Sequence, residues 1–179
     1  MRHDLSDDVK LVQKLLDIPL FEDLDYTQVQ ALIEAGKRET VNPGTVLSEP
    51  RAVDERLIVL LAGRLRLESA SGDLLDYQMP VRVLGEMGVF TGQIRSTRVI
   101  VEDTSDIMVL EAESLDEMLE EDPQMGNHVL ANLIKLLYTR LYDVNQEMGD
   151  LRTTVDRLRQ RFEELQPDDP LLSELFPKE

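Results

Sequence analysis

The residues whose types could do chemistry are concentrated in residues 85–97, which read GEMGVFTGQIRST. Arg95 carries a planar guanidinium that suits bidentate contact with a phosphate, and Ser96 beside it adds a hydroxyl donor. Gly85 permits a tight turn at the end of a strand, and residues 86–91 are long enough for one short helix whose free N–H groups face an anion. The segment therefore predicts a loop that holds one phosphate.

Glu86 is an unexpected neighbour for a phosphate, because a carboxylate repels an anion. It fits if the ligand also carries a sugar, whose hydroxyl groups can donate hydrogen bonds to the carboxylate. A ligand that has both a phosphate and a sugar is a nucleotide. The candidate ligand-binding residues are Gly85, Glu86, Met87, Arg95, Ser96 and Thr97.

Two short helices are predicted ahead of this loop. Residues 6–17 place apolar side chains at helical spacing, and the helix stops before Pro19, since the residue preceding a proline disfavours helix. A second helix begins after Asp25, which can serve as its N-cap, and ends at Gly36 as its C-terminal cap.

Residues 38–110 contain short apolar runs separated by turn residues. Residues 57–61 and 65–67 are two such runs with Gly63 between them, and residues 97–110 supply another pair. Short strands at this spacing predict an antiparallel β-roll of jelly-roll type. The predicted fold class is α+β, a β-roll with flanking helices and a long C-terminal coiled-coil helix.

After the strands, a helix is predicted to start at Ser114, because Ser114 and Glu117 form the pattern of a capping box. Asp122 and Pro123 interrupt that helix, and Pro123 suits the first turn of a second one. The boundaries that follow are a β-roll domain at residues 1–122, a dimerisation helix at 123–166 and a flexible tail at 167–179.

The long helix carries apolar residues at alternating steps of three and four, which is a heptad seam sustained over more than four heptads. Such a repeat predicts a coiled coil with a second copy of the chain. Glu147 and Arg152 fall at positions that attract across a parallel seam, so a parallel homodimer is predicted. The alternative is one helix folded back on its own domain. The seam residues are Ile134, Leu137, Leu141, Val144, Met148, Leu151, Val155, Leu158, Phe162 and Leu165.

The composition excludes several classes of function. A formal net charge of -17 repels a nucleic-acid backbone, although a local pocket can still take a small anion. The chain lacks cysteine, a secretion signal and an apolar run near the roughly 20 residues of a membrane span, so we expect a cytoplasmic protein without a membrane partner. Its two histidines, His3 and His128, are too few for a cupin-type metal site, and no catalytic motif is present, so no enzyme is expected.

Residues 85–97 resemble the phosphate-binding cassette of the cyclic-nucleotide-binding domain family, the catabolite-activator-like β-rolls. IPLF at residues 18–21, PGT at 43–45 and LLAGRL at 60–65 are similar to further parts of that family, so the resemblance spans roughly residues 15–141. The resemblance implies that Glu86 binds the ribose 2′-hydroxyl, that Arg95 binds the cyclic phosphate, and that Gly85 and Ser96 add phosphate donors. The implied ligand is cAMP or cGMP, and no cofactor is implied.

The chain departs from the family pattern at three points. Val81 stands where the family has a glycine soon after the proline, and SEPR at residues 48–51 replaces a glycine-bearing turn. Ile94 occupies a position that is proline or polar in many members. The residue that meets the base has no clear match in the long helix, and the candidates are Thr139, Arg140 and Tyr142.

Regulators of this family place a DNA-binding helix-turn-helix after the long helix, whereas only fourteen residues follow Leu165. We therefore expect a stand-alone sensor module that binds cAMP, or alternatively cGMP, and signals through its homodimeric coiled coil to a downstream protein partner. The competing hypothesis is a scaffold in which dimerisation is the function and the nucleotide pocket is degenerate and empty.

Overall fold

The computed structural model describes residues 5–165, which form five α-helices and six β-strands. The helices are α1 (Leu5–Leu16), α2 (Tyr26–Ala35), α3 (Glu86–Thr91), α4 (Ala112–Glu121) and α5 (Pro123–Leu165), with a 3-10 turn at Pro19–Phe21. The strands are β1 (Lys37–Val41), β2 (Val46–Ser48), β3 (Arg56–Glu68), β4 (Leu74–Gln78), β5 (Arg82–Leu84) and β6 (Arg98–Glu111). The predicted tail at residues 167–179 lies outside the described residues.

The chain divides into two compact units, with the boundary between Ile134 and Lys135. In the first unit, one antiparallel sheet has the strand order β1-β6-β3-β4, with β2 paired to β6 and β5 paired to β3. The predicted α+β fold, an antiparallel β-roll with flanking helices and a long C-terminal helix, is confirmed. The coiled coil and the division at residue 122 stay predictions.

The central strand β3 is buried on both faces between Leu57 and Leu61, which are at most 4 % exposed. Alternate side chains of a strand point to opposite faces, so Ile58 and Leu60 belong to one packing layer and their neighbours to another. The layer inside the roll consists of Ile58, Leu60, Leu65, Val99, Val101, Ile107 and Val109. A continuous apolar run of this kind is typical of a strand covered on both sides.

Gly63 does not separate two strands, as the sequence pattern predicted, but lies within the single strand β3. The pairing of β3 with β6 shifts register around it, between Leu60 and Leu65, as β-bulges do. Gly63 has φ +92°, and a Cβ built on it would lie 2.6 Å from both Ser105 Cα and Thr104 O. The residue is glycine because β6 passes directly over its backbone.

We expect Gly63→Ala to lower the free energy of unfolding by about 2–5 kcal/mol, since it adds steric overlap with β6 to the cost of a left-handed backbone. Gly72→Ala is the matched control, because Gly72 has φ +91° and open space around its Cβ position. That variant should lose only about 1–2 kcal/mol. Urea unfolding of both variants measures the difference, and equal losses would contradict the role of the close strand approach.

The predicted starts of α2 and α5 are confirmed, and each is capped by an aspartate side chain. Asp25 Oδ1 accepts a hydrogen bond from Gln28 N at 2.9 Å, and Gln28 Oε1 accepts one from Asp25 N, which completes a capping box. Asp122 Oδ1 accepts from the N–H groups of Gln124 and Met125, so it caps α5 ahead of Pro123. A hydrogen bond from Gln28 Nε2, with those backbone bonds, holds the pKa of Asp122 below its ordinary value.

The predicted helix start at Ser114 is wrong, because α4 begins at Ala112 directly after β6 ends. Ala112 N donates a hydrogen bond to Glu55 O at 2.8 Å, so a contact with a distant segment fixes where the strand becomes a helix. Gly36 follows α2 as predicted, but in an extended conformation with φ −80°. A Cβ there would lie 2.6 Å from Met108 Sδ, so close packing against β6 favours glycine at this position.

The long helix α5 contributes to both units. In the first unit Met125, Val129 and Leu133 are buried, and Asn132 Nδ2 donates to Glu22 O at 2.7 Å. From Ile134 onward most of the predicted seam residues are exposed, and the helix continues through Gly149 without a break. Leu137 and Phe162 are half-buried, and the exposed members are Ile134, Leu141, Val144, Met148, Leu151, Val155, Leu158 and Leu165. Of the helices in residues 5–165, none has the length and apolarity needed to cross a bilayer.

Candidate functional site

The loop that the sequence singled out contains the short helix α3 at the predicted residues, Glu86–Thr91. Gly85 before it has φ +91° and Gly92 after it has φ +66°, two left-handed positions that glycine adopts without strain. Both helix ends are therefore set by local sequence. The chain then returns through residues 93–97 to the start of β6.

The guanidinium of Arg95 lies directly against Gly85. A Cβ built on Gly85 would overlap Arg95 Nη1 and would lie 2.5 Å from Arg56 O, so glycine suits the close approach of both groups as well as the left-handed φ of +91°. Backbone bonds hold Arg95 in place, because its N–H donates to Ala52 O at 2.9 Å and its carbonyl accepts from Arg51 N at 2.8 Å. The structure thus brings together the two ends of the predicted phosphate loop.

Arg95 is nearly inaccessible to solvent, with a side chain that is 7 % exposed. Its Nη2 atom lies 3.3 Å from Asp54 Oδ1 and donates a hydrogen bond to Arg56 O. Its Nε atom is buried and has no hydrogen-bond partner among the described residues. A buried donor without an acceptor costs free energy, and an anion oxygen would remove that cost.

Asp54 joins two arginines. Arg56 Nε lies 2.8 Å from Asp54 Oδ1 and Arg56 Nη2 lies 2.9 Å from Asp54 Oδ2, which is the bidentate geometry of an arginine–carboxylate pair. Burial by itself raises the pKa of Asp54, but the hydrogen bonds and charges of Arg56 and Arg95 outweigh it and hold that pKa below its ordinary value. Asp54 is therefore ionised at neutral pH.

The remaining predicted ligand-binding residues surround the arginine in sequence. Glu86 opens α3 and is only 3 % exposed, whereas Met87 is 41 % exposed. Ser96 is exposed and Thr97 is half-buried, immediately before β6. Their roles toward a ligand stay predictions.

An open groove of about 400 Å³ also runs along α3 and α4. Its polar lining is entirely acidic, so its charge would repel a phosphate. Within residues 5–165, no group of acidic or histidine side chains has an arrangement that could hold a metal ion. The carboxylates that line the groove are Glu55, Glu113, Asp116, Glu117 and Glu120.

Residues 38–122 match the family model of the cyclic nucleotide-binding domain. The chain contains a cyclic nucleotide-binding domain. The matched residues cover the six strands except Lys37 and include Asp54, Arg56 and the whole predicted loop, so the resemblance inferred from the sequence is confirmed for this part of the chain.

Solved structures show the same fold. A cyclic nucleotide-binding domain from Methylobacillus flagellatus KT superposes with a TM-score of 0.70 at 21% identity, over 81% of this chain and 84% of its own. The catabolite activator protein of Thermus thermophilus gives 0.65 at 22% identity, over 75% of this chain and 63% of its own. The regulatory domain of Toxoplasma gondii PKA, solved with cAMP, gives 0.61 at 18% identity, over 65% of this chain and 46% of its own, so this chain spans about half of that relative. Comparison with curated proteins gives no match.

Two functional candidates of this nucleotide-binding domain were missed by sequence reasoning, namely Asp54 and Arg56. They stand two residues apart where the chain enters β3, so both side chains can lie on one face of the extended backbone. Two opposite charges at this spacing, ahead of an apolar run, are the sequence pattern from which the pair could have been predicted. It could not indicate Arg95 as the third member, because Arg95 lies 39 residues beyond Arg56.

The three residues proposed to meet the base, Thr139, Arg140 and Tyr142, lie on the part of α5 that belongs to the second unit. All three are exposed. Thr139 Oγ1 donates to Lys135 O at 3.0 Å, and the rings of Tyr138 and Tyr142 stack with centroids 6.4 Å apart. A contact with the base stays a prediction for each of them.

Proposed function

We propose that this protein is a regulatory sensor that binds a cyclic nucleotide, with cAMP as the favoured ligand and cGMP as the alternative. In this proposal Arg95 binds the cyclic phosphate and Glu86 accepts a hydrogen bond from the ribose 2′-hydroxyl. Gly85, Met87, Ser96 and Thr97 supply the remaining polar contacts. The protein binds its ligand without transforming it.

The observation that carries this proposal is the position of Arg95. A buried guanidinium with an unpaired Nε donor lies against a glycine whose Cβ would displace it. The contact of Arg95 with Asp54 runs through Nη2 at 3.3 Å and leaves the Nε donor unsatisfied. An anion oxygen within hydrogen-bond distance of Nε would satisfy the free donor, and the adjacent α3 carries the carboxylate that suits a sugar hydroxyl.

The preference for cAMP rests on relatives. The regulatory domain of Toxoplasma gondii PKA was solved with cAMP, and a PfPKA-R structure was solved with cAMP bound. Both share the β-roll fold with this chain, at sequence identities of 18% and 16% respectively. Similarity at that level supports the ligand class, and the choice between the two bases falls to experiment.

The output in this proposal passes through a parallel homodimeric coiled coil on α5 to a protein partner in the cytoplasm. The exposed apolar side chains recur at the heptad positions, among them Met148, Leu151 and Val155. An apolar stripe with this repeat suits knobs-into-holes packing against a facing helix. A second copy of the chain carries the same stripe and is the simplest partner for it.

Cyclic AMP at 100 times its dissociation constant should stabilise the fold by about 2.7 kcal/mol, because a ligand that binds only the folded state shifts unfolding by mass action. Thermal melts with cAMP, cGMP and 5′-AMP measure this shift and rank the ligands. 5′-AMP is the control, because it has the same base and sugar with an open, more highly charged phosphate. The absence of a shift with both cyclic nucleotides would support the scaffold hypothesis instead.

A further inference from the structure

The side chain of Arg56 stands beside the phosphate-binding arginine without a role in the proposed contacts to ligand. It makes a bidentate pair with Asp54, and its Nη2 also donates to Leu47 O at 3.0 Å. Its own carbonyl accepts a hydrogen bond from Arg95 Nη2. Arg56 therefore contacts Arg95 through two routes, directly by its backbone and indirectly through the carboxylate.

The carboxylate of Asp54 is shared unequally between the two arginines. Arg56 makes contacts of 2.8 and 2.9 Å to its two oxygens, whereas Arg95 makes one contact at 3.3 Å. The shorter and paired contacts are the stronger ones. Arg56 thus makes the stronger contacts with Asp54, and the contact of Arg95 with that carboxylate is the weaker one.

The charges of Asp54, Arg56 and Arg95 sum to +1, since one carboxylate faces two guanidiniums, while Glu39 and Glu111 also act electrostatically on Arg56. The charge of -1 on a cyclic phosphate would therefore be attracted to the two guanidiniums and repelled by the single carboxylate between them. Without Arg56 the pair of Asp54 and Arg95 would be neutral before the ligand arrives, and Asp54 would compete with the phosphate for Arg95. The side chain of Asp54 is 9 % exposed, so leaving its carboxylate without either arginine would cost folding free energy.

We infer that Arg56 is a positioning residue that neutralises Asp54 and so frees Arg95 for the phosphate. This inference rests on the proposed function and adds to that site a residue that controls how strongly Arg95 binds the phosphate. In this inference Arg56 acts on the ligand through Asp54.

The test is a double-mutant cycle read by calorimetric titration with cAMP. Arg56→Leu should weaken binding roughly tenfold, a moderate effect because Arg56 is 41 % exposed and water screens part of its charge. In the Asp54→Asn background the same Arg56→Leu change should alter affinity by less than about twofold, because there is no carboxylate left to neutralise. Arg56→Lys keeps the charge and should recover most of the affinity lost with leucine.

Equal losses from Arg56→Leu in both backgrounds would overturn the inference, because they would mark a role that is independent of Asp54. No loss in either background would also overturn it. A wild-type protein that does not bind cAMP or cGMP would overturn the proposed function together with this inference. Binding by the wild type with equal losses would overturn the inference alone.

Discussion

Replacing Arg95 with alanine is expected to weaken cAMP binding by roughly 30- to 4,000-fold. Removing one member of a buried, hydrogen-bonded charge pair costs about 2–5 kcal/mol, and each 1.4 kcal/mol is a factor of ten in affinity. The guanidinium is 7 % exposed, so water would screen its contact with a phosphate only slightly. Calorimetric titration of the two proteins with cAMP gives the ratio.

The matched control is Arg98→Ala. Arg98 begins β6 three residues further on, its side chain is 42 % exposed, and its Nε lies 2.8 Å from Glu49 Oε2. An exposed pair of this kind contributes little to stability, so affinity for cAMP should stay within about twofold of wild type. If Arg95→Ala and Arg98→Ala gave the same affinity, the phosphate site would lie elsewhere.

Arg95→Ala also removes a hydrogen bond to Arg56 O and a contact with Asp54, so some loss of stability accompanies the loss of binding. Asp54 keeps its bidentate partner Arg56 in that variant, so the carboxylate is not left unpaired. Arg95→Lys covers the case in which the alanine variant fails to fold. It retains the charge without the planar fork and should bind with an intermediate affinity.

Replacing Leu151 with glutamate is expected to convert a dimer into monomers. Leu151 is 63 % exposed on the single chain and lies at the centre of the seam. In a parallel dimer the two copies of residue 151 would face each other, so two like charges would be buried without partners, at a cost of several kcal/mol. Light scattering and sedimentation report the mass.

Gln160→Glu is the control for the dimer prediction. It adds the same charge to the same helix at an exposed position two residues beyond the seam residue Leu158, where the heptad repeat faces away from the partner. Its mass should remain that of a dimer. A monomeric wild type, or a dimeric Leu151→Glu, would contradict the seam.

The monomeric variant also tests whether dimerisation and ligand binding are linked. Coupling between two binding events is reciprocal, so if cAMP changes the dimer affinity, loss of the dimer must change the cAMP affinity by the same factor. Allosteric coupling of about 1–3 kcal/mol corresponds to roughly a 5- to 150-fold change. Identical cAMP affinities of wild type and Leu151→Glu would leave a binding domain that sends no signal through its seam.

The sequence predicted the secondary elements best where their limits are set locally. Glycines in left-handed conformations bound α3 at both ends, and the capping box of Asp25 starts α2. Pro123 and Asp122 separate α4 from α5 as expected. In each case the residues that decide the backbone conformation lie within four positions of the boundary, so the pattern can be recognised without a fold.

The predictions of secondary structure were wrong at positions where contacts with a distant segment determine the backbone conformation. Gly63 reads as a turn between strands, but β6 pairs on both sides of it and turns the interruption into a bulge. Ser114 has a capping pattern, yet the bond from Ala112 to Glu55 starts the helix two residues earlier. Local propensity contributes less free energy than these long-range hydrogen bonds, so tertiary pairing overrides it.

By itself the sequence indicated which loop carries the candidate site, and it predicted which arginine would face an anion and which helix face would form a seam. Only the tertiary structure decided what Arg95 contacts before a ligand arrives. Asp54 and Arg56 reach it because the start of β3 folds against the phosphate loop, which no spacing along the chain reveals. The electrostatics of the site depend on distances in space, and folding alone creates those distances.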